Sequence, residues 1–207
     1  MYDSCLACGH YCEEGGFPQE DDSIVCDACG HRHPLPARQL FVVLGTPGTG
    51  KSTLYNQVLT MPDRPDMVYL ETDYFLALAS DGWRSLTGYA AFLSAMIGRS
   101  GRPVVLFSGG DTEDFEETPT RKVFSEVHYL VLVCSPEIQE QRLRARPKWR
   151  SRAHEESIPG WLDWTRMFIE GADRASPSYA LLDTGARDRE ACAKVLFGWL
   201  RERSASG

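Results

Sequence analysis

No apolar run in the 207 residues reaches 18, so nothing in the sequence reads as a membrane-spanning helix. Excess positive charge is missing too. Lys and Arg number 22 against 29 Asp and Glu, a formal charge of −7, which argues against a broad nucleic-acid-binding surface and leaves room only for a local basic patch. The opening Met1-Tyr2-Asp3 is polar and acidic, without the basic segment and apolar stretch of a secretory leader, so a cytoplasmic chain is expected. Wholesale disorder is excluded as well, because 43% of the residues are hydrophobic and 25% charged. What remains is room for one main domain and a small accessory module.

The chain divides near residue 36. Residues 1–36 hold five of the seven cysteines and three of the five histidines, and seven acidic residues there face a single basic one, Arg32. So few large apolar side chains cannot fold a segment by burial alone, and a staple is needed. Pro34 and Pro36 bracket a short linker. Residues 37–207 have the composition of an ordinary core. Leu40-Phe41-Val42-Val43-Leu44 is a short apolar run suited to a strand buried on both faces. Strands are also expected at 67–70, 103–107, 129–133 and 179–182, with helices at 51–59, 86–98, 136–145, 158–171 and 187–202. Alternating strands and helices predict an α/β domain, a mainly parallel sheet covered on both sides. In such a fold a ligand lies beyond the carboxyl ends of the strands.

Gly45-Thr46-Pro47-Gly48-Thr49-Gly50-Lys51-Ser52 fits G-x-x-x-x-G-K-[ST] in full, between a strand and the helix-like Thr53-Leu54-Tyr55. Its glycines let the backbone fold with N–H groups turned inward around a β-phosphate, and the following helix start adds unpaired amides and a positive dipole end. Lys51 is expected on the β and γ phosphates and Ser52 on Mg²⁺, with ATP as the nucleotide. The guanine-reading N-K-x-D is absent, which disfavours a GTPase, and no apolar strand ends in the Asp-Glu of a motor ATPase.

The second strand runs into Glu71-Thr72-Asp73. A carboxylate beside the γ-phosphate can take a proton from an acceptor hydroxyl, and Asp73 is the expected base; a solvated strand-end pair is the plain alternative. The third strand ends in Ser108-Gly109-Gly110-Asp111, where Asp111 suits a magnesium-bound water, an acceptor hydroxyl or the cap of a helix carrying Phe115. Six basic residues fall between Arg142 and Arg152. Ser135-Pro136 starts their helix and Pro147 ends it. Arg142 and Arg146, four apart, share a face. A mobile basic lid around 142–156 would place guanidinium on the transferring phosphoryl group and exclude water; otherwise this helix pairs with Glu137, Glu140, Glu155 or Glu156. Trp161, Trp164 and Phe168 mark a helix face packed on the core, and Arg166 on the opposite face is a candidate for the acceptor cleft. Asp183 and Thr184 are expected against the adenine or as caps of the last helix. Cys134 and Cys192 read as buried thiols.

Cys5-Leu6-Ala7-Cys8-Gly9-His10 recurs as Cys26-Asp27-Ala28-Cys29-Gly30-His31. Two such knuckles form a closed tetrahedral sulfur site, so Cys5, Cys8, Cys26 and Cys29 are the expected zinc ligands. Cys12, His10, His31 and His33 are the substitutes. The acidic module disfavours phosphate-backbone contacts, leaving it to stabilise a sheet edge, join two copies of the chain or wall the acceptor pocket.

With these motifs assembled, residues 40–203 resemble the P-loop kinases of small molecules, nucleosides and nucleotides, through Pro103 to Phe107, Val127 to Cys134, Arg142 to Arg150 and Trp161 to Arg166. The resemblance implies a three-layer α/β/α fold with a five-stranded parallel sheet in the order 2-3-1-4-5. It also implies transfer of the ATP γ-phosphoryl group to a small acceptor, with Asp73 as base and Arg142 and Arg146 on phosphate. The zinc-ribbon-like module lies outside that pattern. A nucleoside or related metabolite is the first acceptor class. The alternatives are an ATPase whose zinc module recruits a partner, and a kinase of polynucleotide ends.

Overall fold

A computed structural model describes residues 4–11, 19–20, 23–34, 39–78, 83–98, 102–121, 124–146 and 152–205. Three short strands lie in the amino-terminal region: β1 (Gln19–Glu20), β2 (Ser23–Val25) and β3 (Arg32–Pro34). They form an antiparallel sheet in sequence order, with Val25 opposite Arg32 and Ser23 opposite Pro34.

The second sheet is built from β4 (Gln39–Gly45), β5 (Val68–Glu71), β6 (Val104–Ser108), β7 (Glu126–Val133) and β8 (Tyr179–Asp183). All its pairings are parallel and its order is β5-β6-β4-β7-β8, which is 2-3-1-4-5 counted within the sheet. The apolar run in β4 becomes its centre: Leu40 pairs with Val104 and Val127, and Leu44 with Ser108 and Val131. Side chains alternate across the two faces. Phe41 and Val43 join Val105, Phe107, Leu130 and Leu132 beneath α1 (Lys51–Thr60) and α6 (Arg189–Ser204). Leu40, Val42 and Leu44 join Leu106, Val131 and Val133 beneath α2 (Trp83–Gly98), α3 (Thr112–Glu116) and α5 (Arg152–Gly171). A sheet buried on both faces has no polar side to alternate with, hence the continuous apolar runs.

The caps explain the helix starts. Ser135 accepts from the Ile138 amide and Pro136 opens α4 (Pro136–Arg144), as read from the sequence. Asp188 caps α6, so Asp183 and Thr184 do not. Asp111 and Asp114 form a reciprocal capping box on α3. The expected start of the fifth helix at 158 falls inside α5, which runs through Pro159. Proline removes one hydrogen bond there, and a long helix with a packed inward face carries the loss. A 3₁₀ turn (Thr72–Leu78), not foreseen, follows β5 directly. Among the described residues no helix is long and apolar enough to cross a membrane.

Candidate active site

The phosphate turn leaves the carboxyl end of the central strand, flanked by β6 on one side and β7 on the other. Gly48 and Gly50 have φ of 90° and 96°, a region closed to most side chains. Gly50 is also the cap position of α1 and brings no side chain to its first amides. Those N–H groups are the orphan donors of a helix start, and an anion satisfies them.

The first residues of the turn are held from behind. Gln139 of α4 is fully buried, and its amide nitrogen donates to the Pro47 carbonyl at 2.7 Å and the Thr46 hydroxyl at 3.0 Å. The Thr46 and Thr165 hydroxyls are 2.5 Å apart, and Thr165 donates to the Trp161 carbonyl at 3.1 Å. Buried hydroxyls and amides with partners fix geometry, because breaking one leaves an unsatisfied polar atom. The strap joins the phosphate turn to α4 and α5.

The turn floors a cavity of about 450 Å³ lined by residues including Gly45, Lys51, Ser52, Asp73, Gly109, Gly110, Arg146, Trp161 and Trp164. The Lys51 ammonium is 3.7 Å from Glu71 Oε1 and 3.9 Å from Asp73 Oδ2. The Ser52 hydroxyl donates to Glu71 Oε1 at 2.6 Å. Glu71, only 4% exposed, is thus the innermost carboxylate of the site. No separate role for Glu71 is read from the sequence; its signal there is the E-x-D spacing at the strand end. Burial lowers the pKa of Arg146, and the facing Asp73 carboxylate raises it. Arg146 stands over the turn, lining this cavity and its neighbour.

That neighbour, about 500 Å³, lies on the other side of the turn and is lined by Gly50, Thr53, Leu54, Arg142, Arg146, Thr184, Arg187 and Cys192, among others. Arg142 donates to the Thr184 hydroxyl and carbonyl, each at 3.0 Å, and the Thr184 hydroxyl donates to the Thr49 carbonyl at 2.7 Å. The guanidinium is therefore fixed between the β8 loop and Gly50 of the turn. Asp183 accepts from the Gly185 amide at 2.7 Å and so shapes that loop.

Three expectations change. Phe168 is buried in the core and Trp164 packs against it, as expected, but Trp161 and Trp164 also line the Asp73 cavity. Arg166 is turned to the exposed face of α5, 2.8 Å from Asp163, and not into the cleft. Arg144 pairs with Glu140 at 2.8 Å and with Glu155, the solvated arrangement. Lys148 and Arg150 lie outside the described residues, as does the Arg152 side chain.

The two cysteine knuckles repeat each other in backbone. The Gly9 amide donates to the Cys5 carbonyl and the Gly30 amide to the Cys26 carbonyl, each at 2.8 Å, with φ of 74° and 69° at the glycines. The sulfurs of Cys5, Cys8, Cys26 and Cys29 lie within 4.8 Å of one another, and none is in a disulfide. Tetrahedral zinc–thiolate bonds of about 2.3 Å require sulfurs about 3.8 Å apart. Cys5 to Cys29 is 3.7 Å and Cys8 to Cys26 is 3.8 Å, so the site fits that ion. His33 sits beside this set, Nε2 3.3 Å from the Cys5 sulfur, while His10 faces Asp27 at 3.2 Å. Cys12 lies outside the described residues.

No family model and no curated protein matches the chain. Solved structures do. A sugar kinase from Janibacter sp. HTCC2649 matches with a TM-score of 0.54 at 20% identity, over 80% of this chain and 95% of that one. A shikimate kinase from Acinetobacter baumannii, in complex with shikimate, gives 0.52 at 16% over 82% and 96%. A gluconokinase from Sinorhizobium meliloti 1021 gives 0.54 at 15% over 84% and 97%. The chain shares the fold of these kinases.

Proposed function

We propose that this chain is a Mg-ATP-dependent phosphotransferase that moves the γ-phosphoryl group onto a hydroxyl of a small molecule, with nucleosides and related metabolites as the first acceptor class. The observation that carries this reading is the Asp73 cavity. A carboxylate 3.9 Å from the phosphate-turn lysine lines a cleft sized for a small molecule, and a nucleotide-sized cavity lies across the same turn.

Residues Gly45 to Thr53 hold the phosphates, and Asp183 and Thr184 shape the wall beside the base. Ser52, with Glu71 behind it, would hold Mg²⁺, which neutralises charge on the phosphates. Asp73 orients the acceptor hydroxyl and takes its proton as the oxygen–phosphorus bond forms. The bond from the γ-phosphorus to the bridging oxygen breaks, and ADP leaves with the electron pair. Lys51 and Arg146 meet the charge on the transferring group, while Arg142 braces the β8 loop against the turn. Residues 1–36 form a separate zinc module held by Cys5, Cys8, Cys26 and Cys29.

The test is acceptor-dependent ADP release across nucleosides, sugars and aminoglycoside-like compounds. Asp73→Asn should lower transfer by roughly 10²–10⁴-fold while Mg-ATP still binds. Full acceptor-dependent activity in that variant would remove Asp73 as base.

A further inference from the structure

We infer that the acceptor presents a flat, uncharged aromatic ring to Trp161 and Trp164, and that these two side chains select it. The inference rests on the kinase reading of the same cavity. Both indoles come from the inward face of α5, one helical turn apart, and both line the space that Asp73 faces. Phe168 backs Trp164, with ring centroids 6.2 Å apart and an interplanar angle of 24°, so the indole is supported from the core while it lines the cavity. Phe168 is in turn fixed edge-on by Tyr179 at 5.7 Å. A supported aromatic wall offers a stacking surface that costs little side-chain entropy, and flat rings use it best.

Charge narrows the class further. Among the described residues lining the cavity, the cations are Lys51 and Arg146, and both stand over the phosphate turn. Arg166, the one arginine of α5 whose side chain is described, is turned outward to Asp163. Lys51 and Arg146 are the cations that meet the transferring phosphates, so among the described residues lining the cavity an acceptor carboxylate would face Asp73 and the incoming γ-phosphate with no further cation. A neutral ring needs no partner of opposite charge among these described residues, unlike the hydroxy acids named for two of the kinases that share this fold.

Trp164 is also a partition. A second cavity of about 430 Å³ lies beyond it, between α3 and α5, lined by Asp111, Phe168, Arg174 and Tyr179 among others. Removing the indole joins the two spaces, so Trp164→Ala takes away a stacking face and the far wall together.

The test compares adenosine, cytidine and uridine with shikimate and D-gluconate as acceptors, by ADP release from the full chain above its acceptor-free rate. Transfer to nucleosides and not to the acids is expected. Trp164→Ala should raise the nucleoside KM roughly tenfold or more with kcat little changed, and Trp164→Phe should recover most of the loss. Unchanged Mg-ATP binding in each variant shows that the fold is intact. Transfer to shikimate or gluconate at the nucleoside rate overturns the inference and leaves the kinase reading standing. So does a nucleoside KM indifferent to both Trp161→Ala and Trp164→Ala. If no compound of either class raises ADP release, the inference fails, and the wider screen of sugars and aminoglycoside-like compounds decides the kinase reading.

Discussion

In the parallel sheet Phe41, Val42, Val43, Leu106 and Phe107 are wholly buried, each inside a shell of other apolar side chains. In the amino-terminal region the buried side chains among the described residues are Cys5, Cys26 and His33, while Leu6 is 82% exposed. The first region is held by the hydrophobic effect acting on both faces of a sheet. The second has almost no apolar surface to bury, and four converging sulfurs stand where a core would be. On the zinc reading proposed above, metal binding replaces burial as its source of stability. The two regions should therefore fail under different insults.

The largest effect expected is on the cysteine module. A structural zinc contributes on the order of 10–16 kcal/mol in small peptides, more than such a module can replace. Stripping the metal with a strong chelator should abolish hydrogen-exchange protection across residues 4–11 and 23–34 and leave the amides of β4 and β6 protected. Simultaneous loss in both regions would break the comparison. The converse is smaller. Phe107→Ala, which empties a site packed against Tyr55, should cost the sheet domain about 3–5 kcal/mol in denaturant unfolding. Bound zinc should stay at one per chain in that variant.

Much of this division was legible in the chain. The repeated C-x-x-C-G-H encodes two identical turns, because two thiolates and a glycine at that spacing admit little else. The phosphate turn was legible for the same reason: Gly48 and Gly50 occupy positive φ. Apolar runs gave the five strands, and the resemblance supplied their order. What escaped was whatever depends on which face of an element a side chain occupies once neighbours are in place. Trp161 and Trp164 share the periodicity of Phe168, and periodicity alone does not say that α5 passes over a cavity. Glu71 reads like any strand-end carboxylate until Ser52 is brought within 2.6 Å of it. The four-residue spacing of Arg142 and Arg146 predicts a shared helix face, but α4 ends at Arg144; the β8 loop holds Arg142 through Thr184 beside Gly50, and Arg146 lines the cavities on both sides of the turn. Arg166 was drawn outward by Asp163, a local pairing at i and i+3.

A still smaller effect sharpens the comparison at the turn, which burial supports although it carries polar chemistry. Gly48→Ala would place a methyl carbon 2.9 Å from both Gln139 Cγ and Leu143 Cγ, at a φ that alanine avoids. A loss of about 1–3 kcal/mol is expected, with weaker Mg-ATP binding and zinc content unchanged. A variant as stable as the parent, binding Mg-ATP as well, would show that the turn does not depend on the packing of α4 behind it.

The most direct measurement is calorimetric titration of ATP, with and without Mg²⁺, into the intact chain and into Lys51→Ala. The account predicts saturable, Mg²⁺-dependent binding to the intact chain and at least roughly tenfold weaker binding to the variant, since an ammonium–phosphate contact of this kind contributes about 1.5–3 kcal/mol. Equal affinity in the two proteins, with the same dependence on Mg²⁺, would contradict it.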